Sequence, residues 1–185
     1  MLFVGDIHGD LTLLPKGYVG DVVQVGDFGI GFIPTPELEP NTRFIRGNHD
    51  NPEACRVHPS YIGDWKVEND ILYISGAWSI DFAIRTPFVN WWPDEELTFS
   101  QMNSILNVDE RIEMVVSHDV PSSVYSEHLS SQILLSATPE FLEEVLNKFN
   151  PKVWVAGHHH VSKEFSHSGC KFHMLGIGEK KEIGQ

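Results

Sequence analysis

Residues 42–51 read TRFIRGNHDN, and the fold is decided there. The apolar run Arg43 to Ile45 is strand-like, Gly47 closes it, and Asn48, His49 and Asp50 follow at once. Four other segments repeat the arrangement. Gly5-Asp6-Ile7-His8-Gly9 follows Leu2 to Val4, and Gly26-Asp27 follows Val22 to Val25. Ser117-His118-Asp119 follows Glu113 to Val116, and Gly157-His158-His159-His160 follows Lys152 to Ala156. Each puts oxygen or imidazole donors just beyond a short buried strand. Strand ends on one edge of a sheet converge in space however distant they are in the chain, and that edge is where open α/β sheets build sites. One such segment is weak evidence, but five in series, each after a strand, point to a shared metal-type centre.

Outward from these segments, Ile71 to Ile74 reads as another buried strand. Two stretches carry a helical period with proper ends. In Thr98 to Leu106, Thr98 and Gln101 form a capping box before Met102, Ile105 and Leu106. In Thr138 to Phe149, Thr138 reads as the cap and Pro139 as the first helical residue. Phe141, Leu142, Val145, Leu146 and Phe149 make one apolar stripe there, and Asn150-Pro151 ends it. Val161 to Phe165 and Lys171 to Leu175 read as a hairpin around residues 166–169. The pattern is α/β with an antiparallel portion. The loops 33–41 and 85–95, with three and two prolines, are long for plain connectors and are candidates for a site rim.

The 185 residues make one domain, residues 1–185, large enough to bury roughly 70% of the unfolded surface without disulfides or a structural metal. Thirteen Lys and Arg against 26 Asp and Glu give a net charge of −13, which disfavours nucleic acid as a partner. Cys55 and Cys170 form no CxxC pair, so a disulfide scaffold or thiolate zinc site is not indicated. No run approaches the roughly 18 apolar residues of a membrane span, and the start MLFVGDIHGD lacks the charged and long apolar regions of a signal peptide. A cytoplasmic, reducing location is the expectation.

The order of these residues resembles the calcineurin-like metallophosphoesterases, with their D-x-H, G-D, G-N-H-[DE], H and G-H-x-H blocks. The resemblance runs from Gly5 to His160. It implies a four-layer α/β/β/α sandwich of two mixed sheets, here a minimal version with shortened crossovers, since only Gly9 to Gly20 separate the first two strands. It also implies that Asp6, His8 and His160 hold one metal, that Asn48, His118 and His158 hold the other, and that Asp27 bridges both. His49 and Asp50 would be catalytic. The chemistry agrees, because two divalent ions about 3.5–4 Å apart need a bridging carboxylate and oxygen and imidazole donors elsewhere. Such ions bring the pKa of a bound water toward ~7, so hydroxide can attack phosphorus in line, with inversion. Manganese is the first expectation, with Fe, Zn, Ni and Co also suited to this donor set.

A carboxylate beside an imidazole orients it and raises its pKa, and His49 with Asp50 fits that pairing as the acid for the leaving alkoxide. Arg46 resembles the arginine of the R-G-N-H-E block in the protein-phosphatase branch, whose guanidinium binds phosphate; Arg85 is a weaker candidate. Trp78, Trp91 and Trp92 can stack a base or an aromatic leaving group, although packing is the favoured reading. His159, in an alternating stretch, is expected to point away from His158 and His160 and to be structural. His58, His128, His167 and His173 read as surface or packing residues.

The block Gly26-Asp27-Phe28-Gly29-Ile30-Gly31 lacks the second acid and the arginine of G-D-x-V-D-R-G, which argues against protein-phosphatase specificity. The expected activity is that of a dinuclear phosphatase acting on phosphomonoesters of a small molecule, nucleotide or phosphoprotein. A phosphodiesterase for small or cyclic nucleotides, a nuclease, and a non-catalytic metal-bound scaffold are the alternatives.

Overall fold

Ten short strands make two sheets in the computed structural model, which describes residues 1–129 and 136–184. In the first sheet, β1 (Leu2–Val4), β2 (Val22–Val25) and β3 (Thr42–Ile45) lie side by side in parallel. The second sheet takes β4 (Trp65–Glu68), β5 (Ile71–Ile74), β6 (Met114–Ser117), β7 (Val153–Ala156), β8 (Lys163–His167) and β9 (Cys170–Met174), in the order β4-β5-β6-β7-β9-β8. Its four inner strands are parallel, and the outer β4 and β8 are antiparallel to their neighbours. The last strand, β10 (Lys180–Glu182), returns antiparallel to β1 at an edge of the first sheet.

Side chains alternate across each strand, so each sheet presents two apolar faces. Phe3, Val23, Val25 and Ile45 of the first sheet pack against Ile71, Tyr73, Val116 and Val155 of the second. The opposite face of the first sheet, with Val4, Val22 and Phe44, is covered by α1 (Pro52–Arg56) through Cys55 and by the loop residues Phe28 and Ile30. The opposite face of the second, with Leu72, Val115, Trp154 and Phe172, is covered by α2 (Phe99–Leu106) and α4 (Thr138–Phe149), between which lies the short α3 (Ser122–Val124). This is the four-layer α/β/β/α sandwich. The β1–β2 crossover holds a single 3₁₀ turn, Leu11–Leu13, in place of a long helix.

Thr98 and Gln101 form both halves of the capping box on α2. At α4 the boundary differs: Ala137 is the N-cap, and Thr138 is the first helical residue. The Thr138 hydroxyl donates instead to Glu96 Oε1 at 2.7 Å, a charged acceptor that also receives the Thr138 N–H. The hairpin turn narrows to Ser168-Gly169, both at positive φ as a two-residue turn requires. The strands β4 and β10 escape a reading based on apolar runs, because β4 alternates Trp65 and Val67 with charged residues and β10 is charged throughout, and both are edge strands that need only one neighbour.

Candidate metal centre

The five donor segments come from two sheets rather than from one edge. Asp6 and His8 follow β1, Asp27 follows β2, and Asn48 and His49 follow β3, all in the first sheet. His118 follows β6, and His158 and His160 follow β7, in the second. Face-to-face packing of the sheets brings the two sets of strand ends together. Two glycines permit the approach: a Cβ on Gly26, whose φ is +100°, would overlap the His118 imidazole, and one on Gly47 would overlap Asp27 and His118. His8, Asp27, His158 and His160 all hold left-handed backbone, with φ of 45°, 55°, 66° and 54°. Such conformations persist only where the surroundings enforce them, and they cluster at functional sites.

Asp6, His8, Asp27 and His160 offer donor atoms that all lie within 4.8 Å of one another, and Asp27, His118 and His158 do the same. Asp27 is common to both groups. His118 Nδ1–H donates to the Val25 carbonyl at 2.8 Å, which fixes the tautomer and turns Nε2 toward Asp27 Oδ1 at 3.2 Å and Asn48 Oδ1 at 3.3 Å. The Asn48 amide donates to Ser79 Oγ at 3.2 Å, so its oxygen faces the site. His8 Nε2 lies 3.0 Å from His160 Nε2, and His160 Nε2 lies 3.2 Å from Asp6 Oδ2. Donor separations of this size match the edges of a coordination polyhedron with bonds of about 2.0–2.2 Å. This set of opposed oxygen and imidazole donors, without thiolate, fits two divalent ions sharing Asp27.

Charge is balanced unevenly across the centre, in which Asp6, Asp27 and His118 are buried while His8 and His160 are exposed. Burial works against a charged Asp27, but His118, His49 and His158 outweigh it and hold the carboxyl well below the ordinary range. Burial likewise opposes a charged His118, yet Asp27 overrides it and pushes the imidazole up to about 10. Lacking so close a partner, half-buried His158 falls to about 4 through desolvation and is a neutral donor at pH 7. Burial, with Arg85 contributing, lowers the His49 pKa against the pull of Asp27.

Three expectations about individual residues change. Asp50 makes no hydrogen bond to the His49 imidazole. Its buried carboxylate accepts four backbone N–H groups, from Phe28 at 3.1 Å, Gly29 at 2.7 Å, Ile30 at 2.9 Å and Gly47 at 2.8 Å. It joins the loops after β2 and β3, and burial together with Asp27 lifts its pKa to about 6 against those N–H bonds. Arg46 does not reach the cleft either. It is fully buried, with Nε 3.1 Å from Asp64 Oδ1 and Nη1 on the Glu95 carbonyl. His159, whose neighbours' positive φ breaks the assumed alternation, lines the cleft with Nε2 3.1 Å from Asp119 Oδ1.

Arg85 takes the position in the cleft that Arg46 lacks. Its Nη2 lies 2.7 Å from His49 Nε2, and its Nε donates to Asp81 at 2.6 Å. Of the tryptophans, Trp78 lines the cleft, Trp92 is buried against Phe32, and Trp91 packs near Phe82. Residues without a motif complete the surroundings. Glu95 accepts Ser79 N–H at 2.7 Å and Ser79 Oγ–H at 2.6 Å, and Asp119 accepts Tyr125 O–H at 2.8 Å. Only Asp119, next to His118, had a local signal. The cleft is about 530 Å³, bounded by Asp27, Asn48, His49, Arg85 and the residues from His158 to His160 on its polar side.

No curated protein matches this chain. Among solved structures, a phosphopantetheinyl hydrolase from Mycobacterium tuberculosis superposes on 96% of this chain and 89% of its own, with a TM-score of 0.54 and 11% identity. At that identity the likeness is one of fold. A family model described as calcineurin-like phosphoesterase matches residues 1–162, which contain every donor segment described above. With the two-sheet sandwich and paired donor groups on that same stretch, the chain belongs to the calcineurin-like phosphoesterases, a family of metal-dependent hydrolases.

Proposed function

We propose that the protein is a dinuclear phosphoesterase acting on phosphomonoesters, with Asp6, His8 and His160 on one ion, Asn48, His118 and His158 on the other, and Asp27 on both. The observation that carries this reading is Asp27, fully buried and common to two donor groups. When bound, the ions supply Lewis acidity and a nucleophile at neutral pH. The chain's own residues do the positioning. Asp27 Oδ1 accepts the His49 N–H at 2.7 Å, which seats the imidazole beside the ions and on the cleft wall. From there it is placed to hydrogen-bond the ester oxygen and pass a proton to it. Asp50 holds the His49 loop from behind and acts as a positioning residue.

Manganese is the first metal to test, followed by Fe, Zn, Ni and Co. A polyanionic nucleic acid is disfavoured by the charge of −13, which two divalent ions reduce only in part. No helix among the described residues is long and apolar enough to cross a membrane. Both cysteines are free and buried, which supports a reducing cytoplasmic location.

The test is hydrolysis of p-nitrophenyl phosphate and bis-p-nitrophenyl phosphate by metal-stripped protein after addition of Mn²⁺, Ni²⁺, Zn²⁺ or Mg²⁺, with His49→Ala as control. Metal-restored monoester turnover that the variant loses is the expected result. A preference for the diester would reverse the monoester assignment. Asp27→Asn should lose at least one metal in elemental analysis; two metals per chain in that variant would refute the bridge.

A further inference from the structure

Building on the phosphoesterase reading, we propose that the cleft selects esters of a bulky apolar alcohol bearing one phosphoryl group. Arg85 would hold the phosphoryl oxygens, and Trp78, Ile80 and Tyr125 would receive the alcohol. In the reaction, water adds to phosphorus and the P–O bond to the alcohol breaks. The hydroxyl of the water goes to phosphate and its other proton to the alcohol.

The limit to one phosphoryl group follows from charge. Arg85 is the sole Lys or Arg among the residues lining the cleft, which otherwise presents the acids Asp27 and Asp81 beside the histidines. With the ions and Arg85 all engaged on the reacting phosphoryl group, a second phosphate would find no further Lys or Arg among the described lining residues. Arg85 is also held for the task, since Nε donates to Asp81 and Nη1 donates to the Asn90 carbonyl at 3.0 Å, leaving Nη2 on the His49 lone pair. A phosphoryl oxygen is a stronger acceptor than a neutral imidazole, so it would draw Nη2 into the cleft.

The loop that carries Arg85 is a built element. The Arg46 carbonyl accepts Gly76 N–H at 2.7 Å, the Arg46 guanidinium holds the Glu95 carbonyl, and the Glu95 carboxylate holds Ser79. Ser79 in turn accepts from Asn48, so residues 76–95 are tied directly to the metal centre. From this anchored loop Ile80 stands 78% exposed at the cleft, next to half-buried Trp78.

The third wall is Tyr125, whose hydroxyl is bonded to Asp119, so its ring and not its polar tip is available. Asp81 is engaged by Arg85 in the same way. The Tyr125 proton and Asp81 Oδ1 are thus already committed, whereas the exposed apolar surface gains by being covered.

The experiment compares 2-phenylethyl phosphate with ethyl phosphate on the Mn²⁺-loaded protein, because the two alcohols have similar acidity and differ in apolar bulk. We expect kcat/KM at least about tenfold higher for the phenylethyl ester, and a ratio that falls toward one in Trp78→Ala and Ile80→Ser. Arg85→Ala should weaken inhibition by inorganic phosphate at least about tenfold, with metal content and melting temperature checked in parallel. Equal kcat/KM for the two esters, or a ratio unchanged in both apolar variants, would overturn the proposal. Calorimetric binding of the two esters to metal-loaded His49→Ala separates the layers. Preferential binding without wild-type turnover would keep the subsite and remove the phosphoesterase reading; equal binding would remove the subsite whatever the turnover.

Discussion

His118 is set by three neighbours, and its titration follows from them. The Val25 carbonyl takes one ring nitrogen, while Asp27 and Asn48 face the other. Burial opposes the charged ring, but Asp27 outweighs burial and brings the folded-state pKa to about 10, above the unfolded value of about 6.5. In metal-free protein this stabilisation is complete below about pH 6.5 and is lost as pH rises through about 10. A metal must displace the same proton, so affinity should climb across that range. Melting curves of metal-free protein should therefore shift down between pH 7 and 10, and a flat profile would refute the charged imidazole. Asp50 gives a second test at this scale. Asp50→Asn presents an amide to four backbone donors, and each donor left unmet costs about 1–3 kcal/mol. A domain of this size should lose at least about 5 °C of melting temperature. His49→Ala, on the cleft wall, should melt close to wild type.

At the scale of elements, the ends of helices were written in the chain more openly than their exact first residues. The α2 capping box is a local exchange between residues three apart, so Thr98 and Gln101 announce it. The start of α4 depends on Glu96, about 40 positions away, and Thr138 therefore looks like a cap without being one. Its other end is closed by Asn150 in left-handed backbone, φ 46°, whose N–H reaches the Leu146 carbonyl. Glycine tolerates that conformation without the Cβ penalty. Asn150→Gly should stabilise the fold by about 0.5–1 kcal/mol, read as a rise of about 2–3 °C in melting temperature. A fall in melting temperature would show that the Asn side chain contributes more than its backbone strain.

For the whole molecule, the two sheets are joined by an apolar interface and, at one end, by donors from both sides. Bound ions would link Asp6, Asp27 and Asn48 of the first sheet to His118, His158 and His160 of the second. A metal at about a hundredfold excess over its dissociation constant adds about 2.7 kcal/mol. Stripping it with EDTA should lower the melting temperature by about 5–10 °C, and re-addition of Mn²⁺ should restore it. An unchanged melting temperature would mean that the ions do not bridge the sheets.

The amino-acid order alone marked the buried inner strands, because apolar runs closed by glycine or a polar cluster are local signals. It also marked seven candidate donors, because each sits shortly after such a run. Tertiary structure decided the rest. Only the packing of one sheet on another shows that Asp27 lies in two donor groups at once, that Asp50 serves backbone amides, and that Arg46 is buried under the loop while Arg85 reaches His49. Of two arginines 39 positions apart, the motif favoured Arg46 over Arg85, and the structure reverses that order. Which guanidinium meets the cleft and which meets Glu95 depends on contacts between segments that are distant in the chain, and those contacts exist only once the core has closed.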